Sequence, residues 1–490
     1  MIIKSAKDEI QNYLVDASNT KGFCEAVYIP ENVDEVIEVL KEANSKKLSV
    51  TVSGNRTGLT GACVPKGGIV LSTEKLNRFL DLDIKEKSLL LEPGILLSDL
   101  KNEVESKDLF YPPDPTELNC FIGGTIATNA SGARTFKYGP TRNYVEELEI
   151  VLPEGELIHL KRSENIADGF NLTLTTDSYK KIELTLPDYE MPKTKNASGY
   201  YCKRNMDAVD LFIGSEGTLG VITKIGLKLL FKPKNIISCV VFFNSENDAL
   251  NFLTEVRDES YRTRSENRIN SIDATALEFF DHNALEFLLA DYPNIPGSAQ
   301  AAIWFEQEYE GEEDLYLELW LSLINKHNGN EEDVWIALDE KEKRSLKQFR
   351  HAISENVNEY ISRNNFRKLG TDVAVPDEKF ITFYYSTKKL VESEQIDYVT
   401  YGHFGNSHIH LNMLPKTDEE FEKGQKLYKQ ICLSAIRSGG TFSAEHGVGK
   451  NKTDLLIEMY GMENIDKMKA LKKKLDPNYI LGVGNIFKST

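Results

Sequence analysis

The chain has 490 residues, 41% of them hydrophobic, with 58 basic and 76 acidic side chains and a formal charge of −18. That length exceeds one ordinary core and calls for two or more domains, and the acidic balance argues against nucleic acid as a partner. The opening "MIIKSAKDEIQNYLVDASN" lacks a signal-like apolar core and no stretch approaches the roughly 20 apolar residues of a spanning helix, so a cytoplasmic protein with no transmembrane segment is expected.

In chain order, Val33, Val36, Ile37, Leu40 and Ala43 repeat at helical spacing over 32–44, and the β-rich "LSVTVSG" follows. Further strands are predicted at 69–72, 89–92 and 147–152, the last turning through "PEG" into 157–160 as a hairpin. The stretch 167–190 is rich in Thr, Ser and Asp with little periodicity and reads as a long excursion. Beyond "GSEGTLGVITKIGLKLLFKPK" come a strand at 236–243, a helix from Ser245, more helix over 274–289, a strand at 301–305 and a helix at 313–325. That alternation predicts an antiparallel sheet covered by helices on one face. Helix is expected again over 419–437 and in the C-terminal stretch before "LDPNYILGVGNIF". The six cysteines stand far apart with no CxxC, which excludes local iron–sulfur patterns and suits reduced thiols.

Four of the eight histidines lie in "YGHFGNSHIHLN" (401–412) and "SAEHGVGK" (443–450). His403 and His410 are an odd number of residues apart, which puts them on opposite faces of an uninterrupted strand, so a turn must intervene. A four-residue loop of Gly405, Asn406, Ser407 and His408 would make them opposed cross-strand neighbours, with Cβ atoms roughly 5 Å apart. Asn412 shares the face of His410, and Glu445 would complete two imidazoles and a carboxylate, a donor set that suits a divalent metal with positions left open. Two strand-end histidines packed at a surface are the bland alternative.

Three glycine-rich stretches mark the first half: "SGNRTGLTG" (53–61), "PPDPTELNCFIGGTIATNASGARTFKYGPTR" (112–142) and "GSEGTLGVIT" (214–223). Such loops free backbone N–H groups to approach a pyrophosphate. None is the G-x-G-x-x-G of a strand-to-helix dinucleotide turn or a Walker loop, so nicotinamide and ATP fit poorly. Each alone is equally well turn chemistry.

Together, in this order, they resemble the FAD-binding domain of the vanillyl-alcohol oxidase and p-cresol methylhydroxylase (PCMH) type. "TKNASGYY", "TDVAVP", "GHFGNSHIHLN", "SAEHGVG" and "LDPNYILGVGNIF" resemble stretches of FAD-linked D-2-hydroxy-acid dehydrogenases. That group includes cytochrome-type D-lactate dehydrogenases, glycolate oxidase flavoprotein subunits and D-2-hydroxyglutarate dehydrogenases. The resemblance implies an α+β architecture. A PCMH-type FAD-binding domain of two α+β subdomains would span 1–232, a substrate or cap domain with an antiparallel sheet and the metal site 233–450, and a C-terminal segment returning to the FAD domain 451–490.

Carried over, the resemblance implies that Arg56, Thr57, Gly58, Thr60 and Gly61 cradle the FAD pyrophosphate. Pro113, Asp114, Gly123, Gly124, Thr128, Asn129, Gly132 and Arg142 would line the dinucleotide, and Glu216, Gly220 and Ile222 would close on its adenine side. The first loop has no histidine for a covalent link, so noncovalent FAD is expected. The same comparison assigns His403, His410 and Glu445 to a divalent metal, zinc first, with manganese or iron also suited. It assigns His446 to the catalytic base, Asn412 to a contact with substrate or metal, and Arg350 in "FRHAISE" to the substrate carboxylate, with Ser354 one helical turn beyond. The alternatives are a solvated helix charge for Arg350 and a partner that orients Glu445 for His446. This sequence departs at His408, which fills an asparagine-like position as a loop residue or an added ligand, and at "GVGN" (482–485), which replaces Asn-Pro-Gly-Lys.

The implied reaction is oxidation of a small D-2-hydroxy acid, D-lactate first, with glycolate and D-2-hydroxyglutarate next. Electrons would pass to an external acceptor, a quinone, a cytochrome or an electron-transfer flavoprotein, which would bring a cytoplasmic protein to the membrane periphery; a homodimer is compatible with this. Two other classes stay open: an FAD-containing transferase of the alkyl-glycerone-phosphate synthase type, and a noncatalytic flavin subunit.

Overall fold

The computed structural model describes residues 1–337, 339–364, 366 and 368–488. Near the N-terminus, Ile2–Lys4, Ala26–Ile29, Ile69–Ser72 and Val50–Ser53 form a sheet in that order, parallel across the last three strands. The expected amphipathic helix is Val33–Lys46. The Asn32 side chain caps it by accepting from Glu35 N–H, and Lys47 ends it in the left-handed region at φ 53°. Its Val36, Val39, Leu40 and Ala43 pack on Val50, Ile69 and Leu71, each large side chain contributing about 1.5–3 kcal/mol.

A five-stranded antiparallel sheet follows in the order Phe79–Asp83, Ser88–Leu91, Val221–Lys228, Val145–Val151, Leu157–Lys161. Its last pair is the predicted hairpin, closed at Val151 opposite Leu157. The excursion over 167–190 carries a two-stranded ribbon, Asn171–Thr175 against Lys181–Thr185, that sequence reading missed. Leu172, Leu174 and Leu184 alternate inward there while the threonines face out, a period-two signal hidden behind polar composition.

The second half is built on an antiparallel sheet, ordered among the described residues Trp335–Ala337, Asn235–Phe243, Ala301–Tyr309, Ala274–Asp281, Tyr398–Gly402, His408–Met413 and Leu369–Gly370, with Val373–Ala374 also paired to His408–Met413. The helix expected over 274–289 is instead the strand Ala274–Asp281 followed by the short helix His282–Leu288. Pairing with Ala301–Tyr309 overrides the helical preference of Ala, Leu and Glu, and the Asp281 side chain restarts the helix by accepting from Ala284 N–H. Helices cover both faces of this sheet, not one. Phe252, Leu253 and Val256 of Glu246–Glu266, Trp320 and Tyr384 pack on one side, and Phe349, Ile353 and Val357 of Glu340–Arg363 on the other.

After the helix Thr453–Leu475 the chain reaches the first sheet: Val50 N–H donates to Ile480 O at 2.7 Å, and Gly482 N–H to Val50 O at 2.9 Å. All six cysteines are free. Among the described residues no helix is long and apolar enough to cross a membrane.

Candidate active site

Two cavities meet at one wall. The first, of about 430 Å³, is lined by Arg56, Thr57, Gly58, Thr60, Gly123, Gly124, Thr128, Glu216, Gly220 and Ile222. Six other residues expected at the dinucleotide do not line it. Asp114 is buried against Lys101 Nζ at 2.6 Å and Lys347 Nζ at 3.3 Å, and Pro113 is buried beside it. Arg142 donates to Asp210 Oδ1 at 3.0 Å and lies over the Tyr201 ring, while Asn129 Oδ1 accepts from Arg142 N–H. A Cβ on Gly132 would fall 1.9 Å from Asp114 O, so its glycine serves chain packing, and Gly61 turns at φ 75°. These side chains build the frame behind the cavity.

The second cavity, of about 360 Å³, is lined by Arg350, Tyr401, His410 and Asn412, together with Ser354, His403, Glu445 and His446, which also line the first. The turn between the histidine strands differs from the expected loop. Tyr401 pairs with His410, and His408 N–H donates to His403 O, so His403 faces His408 rather than His410. Gly402, at φ 143°, lets the strand end one residue early, and the His403 and His410 rings still come within 5.5 Å centre to centre.

Partners on the far ring nitrogens assign the tautomers. His403 Nδ1 lies 2.7 Å from Glu278 Oε1 and His410 Nδ1 lies 3.0 Å from Thr371 O, both acceptors, so each Nδ1 carries the proton. Each Nε2 then faces Glu445, at 3.3 Å from Oε2 for His403 and 3.2 Å from Oε1 for His410. Positive charge is needed among them: burial opposes it on His403, but Glu278 and Glu445 raise that imidazole above its ordinary value, and a metal ion held there would stand in for its Nε2 proton. Burial opposes charge on Glu445, yet Lys195 and His403 hold its carboxyl well below the usual range. Asn412 Oδ1 is a buried acceptor without a partner in the same cavity. The donor set therefore fits a divalent cation of borderline character.

Two carboxylates that sequence reading did not single out hold this arrangement. Glu278, in the strand Ala274–Asp281, faces the helix Glu340–Arg363 and accepts from Arg350 Nε at 3.1 Å through Oε2 while Oε1 holds His403. Burial works against its charge, but His403 and Arg350 pull its pKa down to about 2. Arg350 also donates to Thr116 Oγ1 at 2.9 Å, so its guanidinium, with the side chain 9% exposed, is bound rather than a solvated helix charge. Asp372 is fully buried; its Oδ1 accepts from Ala444 and Glu445 N–H, and its Oδ2 from His446 N–H, Ser443 Oγ and Lys452 Nζ. It also lies 3.2 Å from His446 Nδ1, which leaves Nε2 of that ring as the proton acceptor. Burial pushes the His446 imidazole down to about 4 despite Asp372 and Glu445. His408 is not a loop residue: it opens its strand fully buried. A signal for Asp372 existed in "TDVAVP"; Glu278 stood in an apolar run without one.

Residues 24–161 match the family described as FAD binding domain, and residues 232–486 match FAD linked oxidases, C-terminal domain. The chain belongs to the FAD-linked oxidases. This FAD-linked oxidase is 30% identical to a D-lactate dehydrogenase of Anaerostipes hadrus, over 93% of this chain and 88% of the relative. It is also 30% identical to a glycolate oxidase subunit of Bacillus subtilis, over 94% and 89%. Among solved structures, an alkyldihydroxyacetonephosphate synthase aligns with a TM-score of 0.62 at 14% identity, covering 98% of this chain and 81% of that one, a likeness of fold alone. The membership makes the chain an FAD-linked oxidoreductase with a PCMH-type fold in its first half, as the resemblance implied. The cavity suits the flavin of such an oxidase: a Cβ on Gly124 would meet nothing within 4 Å, so the backbone there lies open to a ligand.

Proposed function

We propose that this FAD-linked oxidase oxidises a D-2-hydroxy acid, D-lactate first and glycolate or D-2-hydroxyglutarate next, to the 2-oxo acid, and passes the electrons to an external acceptor. The observation that carries this reading is the pair of imidazoles turned on Glu445, beside a bound guanidinium and a neutral imidazole, in a cavity whose His403, Glu445 and His446 also line the flavin cavity. When bound, FAD supplies a hydride acceptor and a divalent ion, with zinc favoured over manganese or iron, supplies a Lewis acid. His403, His410 and Glu445 would hold that ion, and the residues around the first cavity would hold noncovalent FAD, in a unit formed by 1–232 and completed by 451–490.

Arg350 binds the substrate carboxylate, with its fork held by Glu278 and Thr116 so that little order is lost on binding. Asn412 Oδ1 accepts from the substrate hydroxyl or completes the metal shell. His446 Nε2 takes the hydroxyl proton as the α-hydrogen leaves as hydride. With its pKa depressed by burial, the base form is present at neutral pH, and Asp372 holds the ring in the tautomer the role requires.

The test is anaerobic flavin absorbance of the purified protein while D-lactate, L-lactate, glycolate and D-2-hydroxyglutarate are added separately, before and after chelation. Bleaching by one D-hydroxy acid or by glycolate, abolished by chelator, is the expected result. A bound flavin that none of them bleaches would turn the reading toward the transferase or a missing partner subunit. His446→Ala is expected to keep FAD and metal and to slow flavin reduction by roughly 10²- to 10⁴-fold. His403→Ala should lose the metal; full turnover by either variant would remove the assignment.

A further inference from the structure

The proposed reaction leaves one imidazole of the cluster, the fully buried His408, without a task. His408 Nε2 lies 3.0 Å from Asp372 Oδ1, an acceptor, so the ring proton is on Nε2 and the lone pair on Nδ1. That lone pair receives Lys195 Nζ at 3.2 Å, and the same ammonium lies 2.6 Å from Glu445 Oε2. His403, His408 and His410 share one design: one nitrogen is anchored on an oxygen, of Glu278, Asp372 or Thr371, and the other is turned inward. One ligand atom each from these three rings and Glu445 fall within 4.8 Å of one another. Lys195 thus places a positive charge between a carboxylate oxygen and an imidazole lone pair, the two partners a metal ion would take there.

We propose that His408 is a further ligand of the metal centre through Nδ1, and that the Lys195 ammonium keeps its place in the metal-free protein and withdraws when the ion enters. The proposal rests on the metal reading of His403, His410 and Glu445. Lys195 has a direction of retreat: it also lines a separate groove of about 630 Å³, together with Asp377 and Glu378, whose carboxylates suit a displaced ammonium. Exchange of one cation for another keeps Glu445 and His408 compensated in both states, which answers why a lysine is buried against two groups that bind metals.

The experiment uses the full chain loaded with cobalt(II). X-ray absorption counts the imidazoles bound to the ion, and equilibrium dialysis gives cobalt affinity for the wild type, His408→Asn and Lys195→Met. Three imidazoles in the wild type, two in His408→Asn with affinity weakened roughly 10- to 100-fold, and tighter binding by Lys195→Met are expected. Two imidazoles in the wild type overturn the ligand assignment while leaving the metal centre intact, and that count needs no variant to fold. Unchanged or weaker binding by Lys195→Met overturns the exchange. A wild type that takes up no cobalt overturns the metal reading, and this proposal with it.

Discussion

Glu278 serves two groups with one carboxylate: Oε1 fixes the tautomer of His403 and Oε2 aims Arg350. Removing its charge leaves two buried donors competing for one carbonyl oxygen, because the amide of glutamine offers a donor where an acceptor is needed. Glu278→Gln is therefore expected to lower both metal affinity and kcat/KM, each by roughly 10- to 100-fold, with a loss of several kcal/mol in stability. Metal titration beside urea unfolding checks it, and unchanged metal affinity would remove Glu278 from the centre. At this scale the sequence was legible where spacing or motif marked a residue, as for His403, His410, Glu445 and His446. It was silent on Glu278, because a glutamate inside "ATALEFFD" reads as the polar face of a helix until strand pairing turns it inward.

The helix Ile122–Ala127 shows how two adjacent glycines can differ in purpose. A Cβ on Gly123 would fall 2.5 Å from Pro93 Cβ, so that glycine permits close packing, whereas a Cβ on Gly124 would enter open space. Gly124→Ala should leave the apoprotein as stable as before or more stable by roughly 0.5–1 kcal/mol, since alanine favours the helix, while the new methyl obstructs the flavin. Thermal unfolding of the apoprotein and FAD titration separate the two effects; unimpaired FAD affinity would count against a flavin over this turn. The glycine loops announced themselves in the sequence, but which glycine faces a ligand and which faces the frame depends on what packs behind. The histidine hairpin makes the same point: an intervening turn followed from the odd spacing, while its register depended on Gly402 and on pairing with Ala274–Asp281.

Across the whole molecule, parts distant in sequence close on the site through buried polar contacts. Arg134 pairs with Glu306, Lys347 with Asp114, and Glu216 accepts from Val448 N–H at 2.7 Å and Gly449 N–H at 2.6 Å. Burial raises the Glu216 carboxyl from its ordinary value to about 7, although both N–H groups favour the anion. A raised carboxyl favours folding in its neutral form, so the contribution is full below the ordinary value of 4.5 and is lost as pH rises through about 7. The apoprotein should lose up to roughly 3 kcal/mol of stability relative to Glu216→Gln between about pH 5 and about pH 8. Urea midpoints across that range test it, and parallel pH profiles for the two proteins would show that the Glu216 contact does not titrate.

The amino-acid sequence by itself determined the helix Val33–Lys46, the hairpin at 145–161, the glycine loops and the histidine cluster, because periodicity, turn chemistry and ligand type act over a few residues. Only the tertiary structure decided the rest. Glu278 meets His403 across 125 positions, Lys195 meets Glu445 across 250, and Ser131 meets Glu445 across 314. Which nitrogen of each histidine keeps its proton, which arginine is bound and which glycine lies open follow from such contacts, and no local pattern encodes a partner that far along the chain.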